Sequence, residues 1–535
     1  MTEPEPPARP RVLVAETLAA SGLDLMRASG LDVDVRTGMS PEELRVAVDG
    51  AAALVIRSAT QVDDAVLEAG RDLVLVGRAG IGLDNVDVEA ATRRGVMVVN
   101  APQSNVLSAA EHTVALLLAQ ARNIPQADAD LKAGEWNRTR WEGVELHGKT
   151  LGIVGLGRVG VLVAQRALAF GMQLLAYDPY VSADRARQLG VSLVASVEDL
   201  VRHADFMTVH LPKTAETMGL VSAELLAHAK PTLRIVNTAR GGIIDEAALA
   251  EALRDGRIAG AALDVFATEP TTESPLFGLP NVVVTPHLGA STVEAQDKAG
   301  QTIAEQVVLA LRGEFVPYAV NLAAKEASST VQPFLPLAER LGRLFTVLAG
   351  GVVETLDVAY EGEIADYDCR VLTLSVLKGA LGAIVDEPVS FVNAPQLAQA
   401  RGVVVRESLS SSALDYVNLI TLRGQVDGRD VHVAGTIFGK RDAMRIVGIL
   451  DHTVDIPPSG HLLVVRNSDT PGMIGQVATV VGRAGINIDD MDVGTNASGE
   501  AALMVLATDR AVLPAVVDEI RATPGVLDAK AIDLD

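Results

Sequence analysis

Nine histidines stand in the 535 residues, and one of them, His287, lies in TPHLGAST. Two other reactive groups precede it, Arg240 in VNTARGG and Glu269 in LDVFATEP. The three follow the strand-like apolar runs VVVTPH, RIVNTAR and AALDVF, so each is expected at a strand end. In open α/β sheets ligands bind beyond the carboxyl ends of strands, so groups far apart in sequence can share one crevice. Their types suit the oxidation of a 2-hydroxy acid. A guanidinium holds a carboxylate by two parallel hydrogen bonds. An imidazole takes the hydroxyl proton as hydride leaves, because it titrates in the useful range. A carboxylate beside the imidazole keeps its tautomer and stabilises its protonated form. Taken singly, a strand-end His is more often structural and a lone Arg or Glu is usually a solvated charge. What counts is that all three fall at strand ends after a dinucleotide loop. No second His or carboxylate stands at ligand spacing around His287, so no metal site is expected.

That loop lies in LGIVGLGRVGVLVAQRALAFG, where Gly155, Gly157 and Gly160 have the G-x-G-x-x-G spacing. The motif alone is weak, but an apolar strand precedes it and a helix with small residues follows. Gly155 permits the tight turn, Gly157 lets the backbone approach a pyrophosphate, and Gly160 allows close packing of helix on strand. The helix N-terminus favours the phosphate charge. QLLAYD then ends in Asp178, about 20 residues on, where a ribose-binding acid is expected. Asp178 would accept from a 2′-hydroxyl and repel a 2′-phosphate. No Arg follows it directly, so NAD is favoured over NADP.

The elements that must position these groups can be read from the apolar pattern. RVLVAE, LDVDVR, AALVIRS, LVLVGRAG and VMVVNAP recur at roughly 20-residue spacing, with helix-like SPEELRVAV and DVEAATRRG between them. This alternation reads as βαβ units around a parallel sheet. SAAEHTVALLLAQARNI follows as a buried helix. A second α/β series opens at Lys149 with LGIVG, QLLAYD, FMTVHLP, RIVNTAR, AALDVF and VVVTPH, and the helix-like STVEAQDKAGQTIAEQVVLALRG closes it. From about Glu326 the pattern changes to α+β, with VETLDVAYEG and VNLITLRGQVDGRDVHVAGTIFG, the latter carrying a DG turn signal. PPSG near Pro457 reads as a linker. The tail spells βαββαβ, the ferredoxin-like order.

Composition sets limits. Lys and Arg number 45 against 68 Asp and Glu, a net charge of -23, which gives no basic face for nucleic acid. Cys369 is the only cysteine, so neither an intramolecular disulfide nor a Cys-based zinc site is available within one chain. The acidic, Pro-rich MTEPEPPARP lacks the features of a signal peptide, and no apolar run reaches transmembrane length. A soluble, cytoplasmic protein with neither membrane nor nucleic-acid partner is expected.

The motifs together carry a resemblance. NTARGGIIDEAAL, ALDVFATEP, TPHLGAST and LGIVGLGRVG resemble the D-isomer-specific 2-hydroxyacid dehydrogenases. RSAT, GRAGIGLDNVD and VNAPQSNVLSAAEHT resemble the branch of that family acting on a phosphorylated glycerate. The tail resembles an ACT regulatory domain, and residues 326–457 resemble the family's intervening domain by position. The resemblance implies a Rossmann-type nucleotide domain, residues 106–292, inserted in a flavodoxin-like substrate domain, residues 1–105 and 293–325. An α+β intervening domain, residues 326–457, and a ferredoxin-like ACT domain, residues 460–535, would follow. It implies NAD-dependent oxidation of 3-phospho-D-glycerate to 3-phosphohydroxypyruvate, the first step of L-serine biosynthesis, with His287 as acid/base, Glu269 its partner and Arg240 the carboxylate clamp. Beside the glycines and Asp178, the cofactor contacts it implies are Arg158, Val159, His210, Leu211, Pro212, Thr238, Ala239, Asp264 and Gly289. The substrate contacts are Arg57, for the phosphate, with Ser58, Arg78, Ala79, Gly80, Ile81 and Asn105. Arg138 and Arg140, beside Trp136 and Trp141, could reach a neighbouring subunit's site. In the tail, Asn467, Asp469 and Asn487 flank a turn opening a helix at Pro471 and Gly472, and would take L-serine as feedback effector. As turn and capping residues they also have an ordinary structural reading. A homotetramer is expected. Two other readings stand beside this one: an enzyme of the D-lactate or glyoxylate type, and a non-catalytic, NAD-sensing, corepressor-like protein.

Overall fold

The computed structural model describes residues 9–322, 328, 330–385, 389–413, 415–426, 428–439, 442–495 and 501–534. The start of the chain, the expected boundary at 325/326 and Asp427 of the DG turn lie outside them.

Four sheets follow one another along the chain. The first holds β1 (Arg11–Val14), β2 (Asp32–Val35), β3 (Ala53–Ile56), β4 (Leu75–Arg78) and β5 (Met97–Asn100), all parallel, in the order β2-β1-β3-β4-β5. This is the flavodoxin order. Alternate residues face two cores: Val12, Val14 and Val55 point into one, Leu13, Leu54 and Ile56 into the other. Burial on both faces explains why β1, β3, β4 and β5 read as apolar runs, whereas the edge strand β2 alternates as DVDV and is partly exposed.

The second sheet holds β6 (Thr150–Val154), β7 (Gln173–Tyr177), β8 (Ser192–Leu193), β9 (Phe206–Val209), β10 (Arg234–Asn237), β11 (Gly260–Leu263) and β12 (Val282–Val284). It is parallel, in the order β12-β11-β10-β9-β6-β7-β8. The two-residue β8 has too little apolar length to stand out in the sequence. After β6 the chain goes to one side for β7 and β8, then returns to the other for β9. That reversal makes a crevice at the carboxyl ends of β6 and β9.

The third sheet holds β13 (Thr355–Gly362), β14 (Val404–Ser410), β15 (Asn418–Val426), β16 (Arg429–Phe438), β17 (Ala443–Ile449) and β18 (His452–Ile456), in the order β14-β13-β15-β16-β17-β18. Val426 pairs with Arg429 across the DG turn, and Gly428 takes φ +74° there. Two helices, Leu335–Ala349 and Arg370–Gly382, pack beside it with no room for side chains where they cross. A Cβ at Gly379 would lie 1.8 Å from the Glu339 carbonyl oxygen. The second helix is buried around most of its girth, so it lacks the one-sided periodicity that reveals a helix in sequence.

The fourth sheet holds β19 (His461–Ser468), β20 (Ile488–Thr495), β21 (Ala501–Thr508) and β22 (Val526–Asp533) in the order β20-β21-β19-β22. Helices Met473–Arg483 and Pro514–Arg521 complete the βαββαβ order. Leu463, Val465, Met504 and Leu506 face those helices, while Leu462, Val464, Leu503 and Val505 join the core of the third sheet. Among the described residues no helix is long and apolar enough to cross a membrane.

Candidate active site

β10, β11 and β12 are neighbours, and beyond their carboxyl ends run the segments carrying Arg240, Glu269 and His287. A strand spacing of about 4.8 Å puts the three exits within roughly 10 Å. Glu269 Oε2 lies 2.6 Å from His287 Nδ1, and its Oε1 accepts from the Phe266 amide at 2.8 Å. Facing a carboxylate, Nδ1 carries the hydrogen, a tautomer assigned from this bond, and Nε2 is left to exchange a proton. Burial pushes the Glu269 carboxyl up; the His287 and Phe266 bonds outweigh it and hold the group below its ordinary range. His287 has φ +56°. A left-handed backbone at a non-glycine residue costs about 1–3 kcal/mol and persists only where its surroundings impose it. Here the His287 amide donates to the Asp264 carbonyl at 2.8 Å, while the Leu288 and Gly289 amides donate to the Asp264 carboxylate at 2.7 and 2.8 Å.

Arg240 donates from Nη1 to the Ala239 carbonyl at 2.7 Å, and its Nε lies 3.3 Å from Asp84 Oδ2. Asp84 belongs to the loop after β4, so this clamp joins the two parallel sheets. Arg78, at the end of β4, is half-buried, and its buried Nε has no partner among the described residues. Burial pushes its pKa down, and the charges of Arg240 and Arg57 add to that against Asp84 and Glu16. Three guanidiniums thus share one region, which suits a substrate of more than one negative charge. Arg57 starts a turn wrapped around the Glu16 carboxylate, which accepts from the amides of Arg57 at 2.8 Å, Thr60 at 2.9 Å and Ala59 at 3.3 Å. Ser58 is exposed on that turn. Arg57, Ala79, Gly80 and Asn105 line one pocket with Thr17 and Gln296. Ile81 is held beside it by Asn100, whose Nδ2 donates to the Ile81 carbonyl at 2.6 Å.

At the crevice, Gly155 has φ +95°, and a Cβ there would lie 2.6 Å from the His210 carbonyl oxygen. A Cβ at Gly160 would lie 2.2 Å from the Gly155 carbonyl oxygen. Gly157 opens the helix Arg158–Ala169, with nothing within 4 Å of where its Cβ would stand. The loop has the space and the helix N-terminus that a pyrophosphate needs, so these residues fit a dinucleotide. Asp178 follows β7, but its carboxylate is already engaged: Oδ2 accepts from the Leu156 amide at 2.8 Å and Oδ1 from the Tyr180 amide at 2.9 Å. It braces the glycine loop as well as facing the crevice. Burial pushes the His210 imidazole down to about 4, so it stays neutral. Leu211 packs against Gly155, and Pro212 is exposed.

Other expected cofactor residues are placed as supports. Arg158 Nη1 donates to the Pro102 carbonyl at 3.1 Å, and Val159 packs into the core beneath. Thr238 is buried with its hydroxyl 2.6 Å from that of Thr113, and the Ala239 amide donates to Asn237 at 3.0 Å. The Asp264 carboxylate has no solvent exposure and organises the turn that carries Gly289. Trp141 donates to Asp130 at 2.7 Å and Arg140 lies over its ring, while Trp136 is exposed.

In the fourth sheet Asn467 is buried with its Oδ1 unpartnered among the described residues, and Asp469 is exposed two residues on. Asn487 is not beside them. Ser468 pairs with Ala501, whereas His461 and Ile488 both pair with Thr508. Asn487 therefore lies at the opposite end of β19, about 23 Å away at strand rise.

Sequence reasoning passed over Glu16, Asp84, Asp264 as a hub, and His112. Each had a faint signal. Glu16 ends the run RVLVAE, and His112 stands between Glu111 and Thr113 on a largely apolar helix. Among the described residues no group of three or more His, Cys, Asp or Glu could hold a metal ion.

Comparison with known proteins agrees with this chemistry. Residues 114–289 match the family described as D-isomer specific 2-hydroxyacid dehydrogenase, NAD binding domain. Residues 330–450 match the D-3-phosphoglycerate dehydrogenase intervening domain, and residues 461–525 the ACT domain. The chain is 48% identical to D-3-phosphoglycerate dehydrogenase of Mycobacterium tuberculosis (strain ATCC 25618 / H37Rv) over 528 residues, 98% of this chain and 99% of that one. It is 44% identical to the enzyme of the same name from Archaeoglobus fulgidus over 529 residues, 98% of this chain and 100% of that one. The solved TT0316 protein from Thermus thermophilus superposes with a TM-score of 0.55 at 37% identity, over 58% of this chain and 99% of that one. The chain therefore belongs to the D-isomer-specific 2-hydroxyacid dehydrogenase family, in the D-3-phosphoglycerate dehydrogenase branch with an intervening and an ACT domain, and is an NAD-dependent dehydrogenase.

Proposed function

We propose that the protein oxidises 3-phospho-D-glycerate to 3-phosphohydroxypyruvate in the cytoplasm, the first step of L-serine biosynthesis. Arg240 holds the substrate carboxylate with the backbone of residues 78–81. Arg57 and the turn it opens take the phosphate. The 2-hydroxyl proton passes to His287 Nε2 as the C2 hydride leaves, and the C–O bond becomes a carbonyl. NAD, when bound, supplies the hydride acceptor. Glu269 offsets the positive charge that His287 gains. The Glu269–His287 bond of 2.6 Å, beside a guanidinium clamp, is the observation that carries this reading. The division of the chain at 105/106, 292/293, 325/326 and 457/460 belongs to the proposal, as does a homotetramer. So does L-serine as effector. Asp469 takes its ammonium, Asn467 of the same copy is one polar partner, and Asn487 of a second copy is the other.

Purified protein should be assayed with NAD or NADP against 3-phosphoglycerate, D-glycerate and D-lactate by absorbance of the reduced cofactor. Preference for the phosphorylated acid with NAD is expected. Arg57→Ala should raise KM for that acid more than it lowers kcat. Equal or better turnover of D-lactate sinks the substrate assignment.

A further inference from the structure

His112 lies in the helix Val106–Ala121, on the face that meets the carboxyl ends of β11 and β12. Its Nε2 is 3.1 Å from Asp264 Oδ1 and 3.1 Å from Thr285 Oγ1. The Asp264 side chain is 0% exposed. An ionised carboxylate so placed is costly unless it is paired and fully hydrogen-bonded. Four donors reach it: the Thr285 hydroxyl at 2.6 Å, the amides of Leu288 and Gly289, and His112. The Glu269 carboxylate nearby repels the Asp264 carboxylate. Asp264 grips three successive amides, that of His287 through its carbonyl and those of Leu288 and Gly289 through its carboxylate. These are the bonds that impose φ +56° on His287. A protonated Asp264 has one acceptor oxygen turned donor, so the grip weakens and the imbalance falls on the strained residue.

We propose that His112 is a positioning residue for the dehydrogenase reaction: by keeping Asp264 anionic in the core it locks the turn that aims His287 at the substrate. The proposal rests on the reading of His287 as proton acceptor given above. His112 touches no reacting atom.

The test uses His112→Leu, His112→Gln and Thr285→Val in the full chain. Thermal melting serves as the folding control, kcat and KM are measured across pH, and hydrogen exchange follows the peptide around Leu288. In His112→Leu, kcat should fall roughly tenfold or more near neutral pH, because small misplacements of a reacting group cost that much. KM should change little, the Leu288 and Gly289 amides should exchange faster, and the loss should shrink as pH rises and ionises Asp264. His112→Gln keeps an N–H donor and should stay within about threefold of the parent, by the same logic. Thr285→Val removes another donor from the same oxygen and should repeat the pH-recoverable loss, which decides the matter if His112→Leu does not fold. A loss equal at every pH, Gln as impaired as Leu, or unchanged amide exchange overturns the proposal. A parent protein inactive on every hydroxy acid overturns the function reading instead; an active parent with unaffected variants overturns only this one.

Discussion

Glu269 and His287 share one bond, and the proposed mechanism has them work as one unit. His287→Ala should lower kcat by about 10²–10⁴-fold, the usual worth of a general acid–base group, while NAD still binds. Adding Glu269→Gln to that variant should cost little more, because residues acting together are not additive; fully multiplied losses in steady-state kinetics would separate the two roles. Asp178 needs a finer substitution than alanine, since its carboxylate also braces the Leu156 amide. Asp178→Asn keeps an acceptor for that amide and removes the charge. It should narrow the preference for NAD over NADP in direct binding titrations, and an unchanged preference removes Asp178 from ribose recognition. His210 gives a pH effect on stability. Its pKa falls from an ordinary 6.5 to about 4 on folding. Between those values the unfolded chain binds more protons, so stability is fully present above the window and declines as pH falls through it. Urea midpoints at about pH 7.5 and about pH 5 should differ less in His210→Gln than in the parent; an equal drop in both refutes the assignment.

At the scale of elements, the two crossover helices are fastened to different sheets. The helix Val106–Ala121 is pinned to the second sheet: Ser108 donates to the Gly289 carbonyl at 2.8 Å, and Thr113 meets Thr238 at 2.6 Å. The helix Val293–Leu311 packs on Ala20–Ala28 of the first, where a Cβ at Gly22 would lie 2.6 Å from the Gly300 carbonyl oxygen. Any closing of the cleft must therefore bend the chain near Ser104–Leu107 and near Ala290–Thr292, next to Asn105 and His287. Gly22→Val should force the two helices apart and destabilise the fold by about 1–3 kcal/mol, the range for overpacking. Urea unfolding checks this, and an unchanged midpoint would mean the contact yields freely.

At the scale of the whole molecule, the fourth sheet is sandwiched. Its own helices cover one face and the third sheet's core covers the other. Because Asn487 lies at the far end of β19, a serine site using all three residues needs a second copy. Subunits carrying Asp469→Ala and subunits carrying Asn487→Ala should each lose inhibition by serine. Assemblies mixed from both should recover part of it, since one of the paired sites is then rebuilt from intact residues. Mixed assemblies as insensitive as their parents would refute the shared site, and a parent protein indifferent to serine would refute the regulation itself.

Most strands of the parallel sheets were legible because they are buried on both faces and read as apolar runs, and the tail because its short apolar runs follow the βαββαβ order. Arg240, Glu269 and His287 could be picked out because strand ends mark where side chains meet a crevice, whatever their distance in sequence. The glycine loop was legible because φ +95° at Gly155 and the 2.2 Å approach at Gly160 exclude any side chain, a demand written in residue type. The helix Arg370–Gly382 was not, since a helix buried on most sides shows no polar stripe. Nor were the supports. Glu16 under Arg57, Asp84 on Arg240, and His112 with Asp264 behind His287 are single polar residues whose partners come from other elements. Nothing local distinguishes them from caps or surface charges. Their roles exist only once strands from distant parts of the chain lie side by side, because the cost of burying a carboxylate, and the donors that offset it, depend on the three-dimensional surroundings and not on the neighbouring letters.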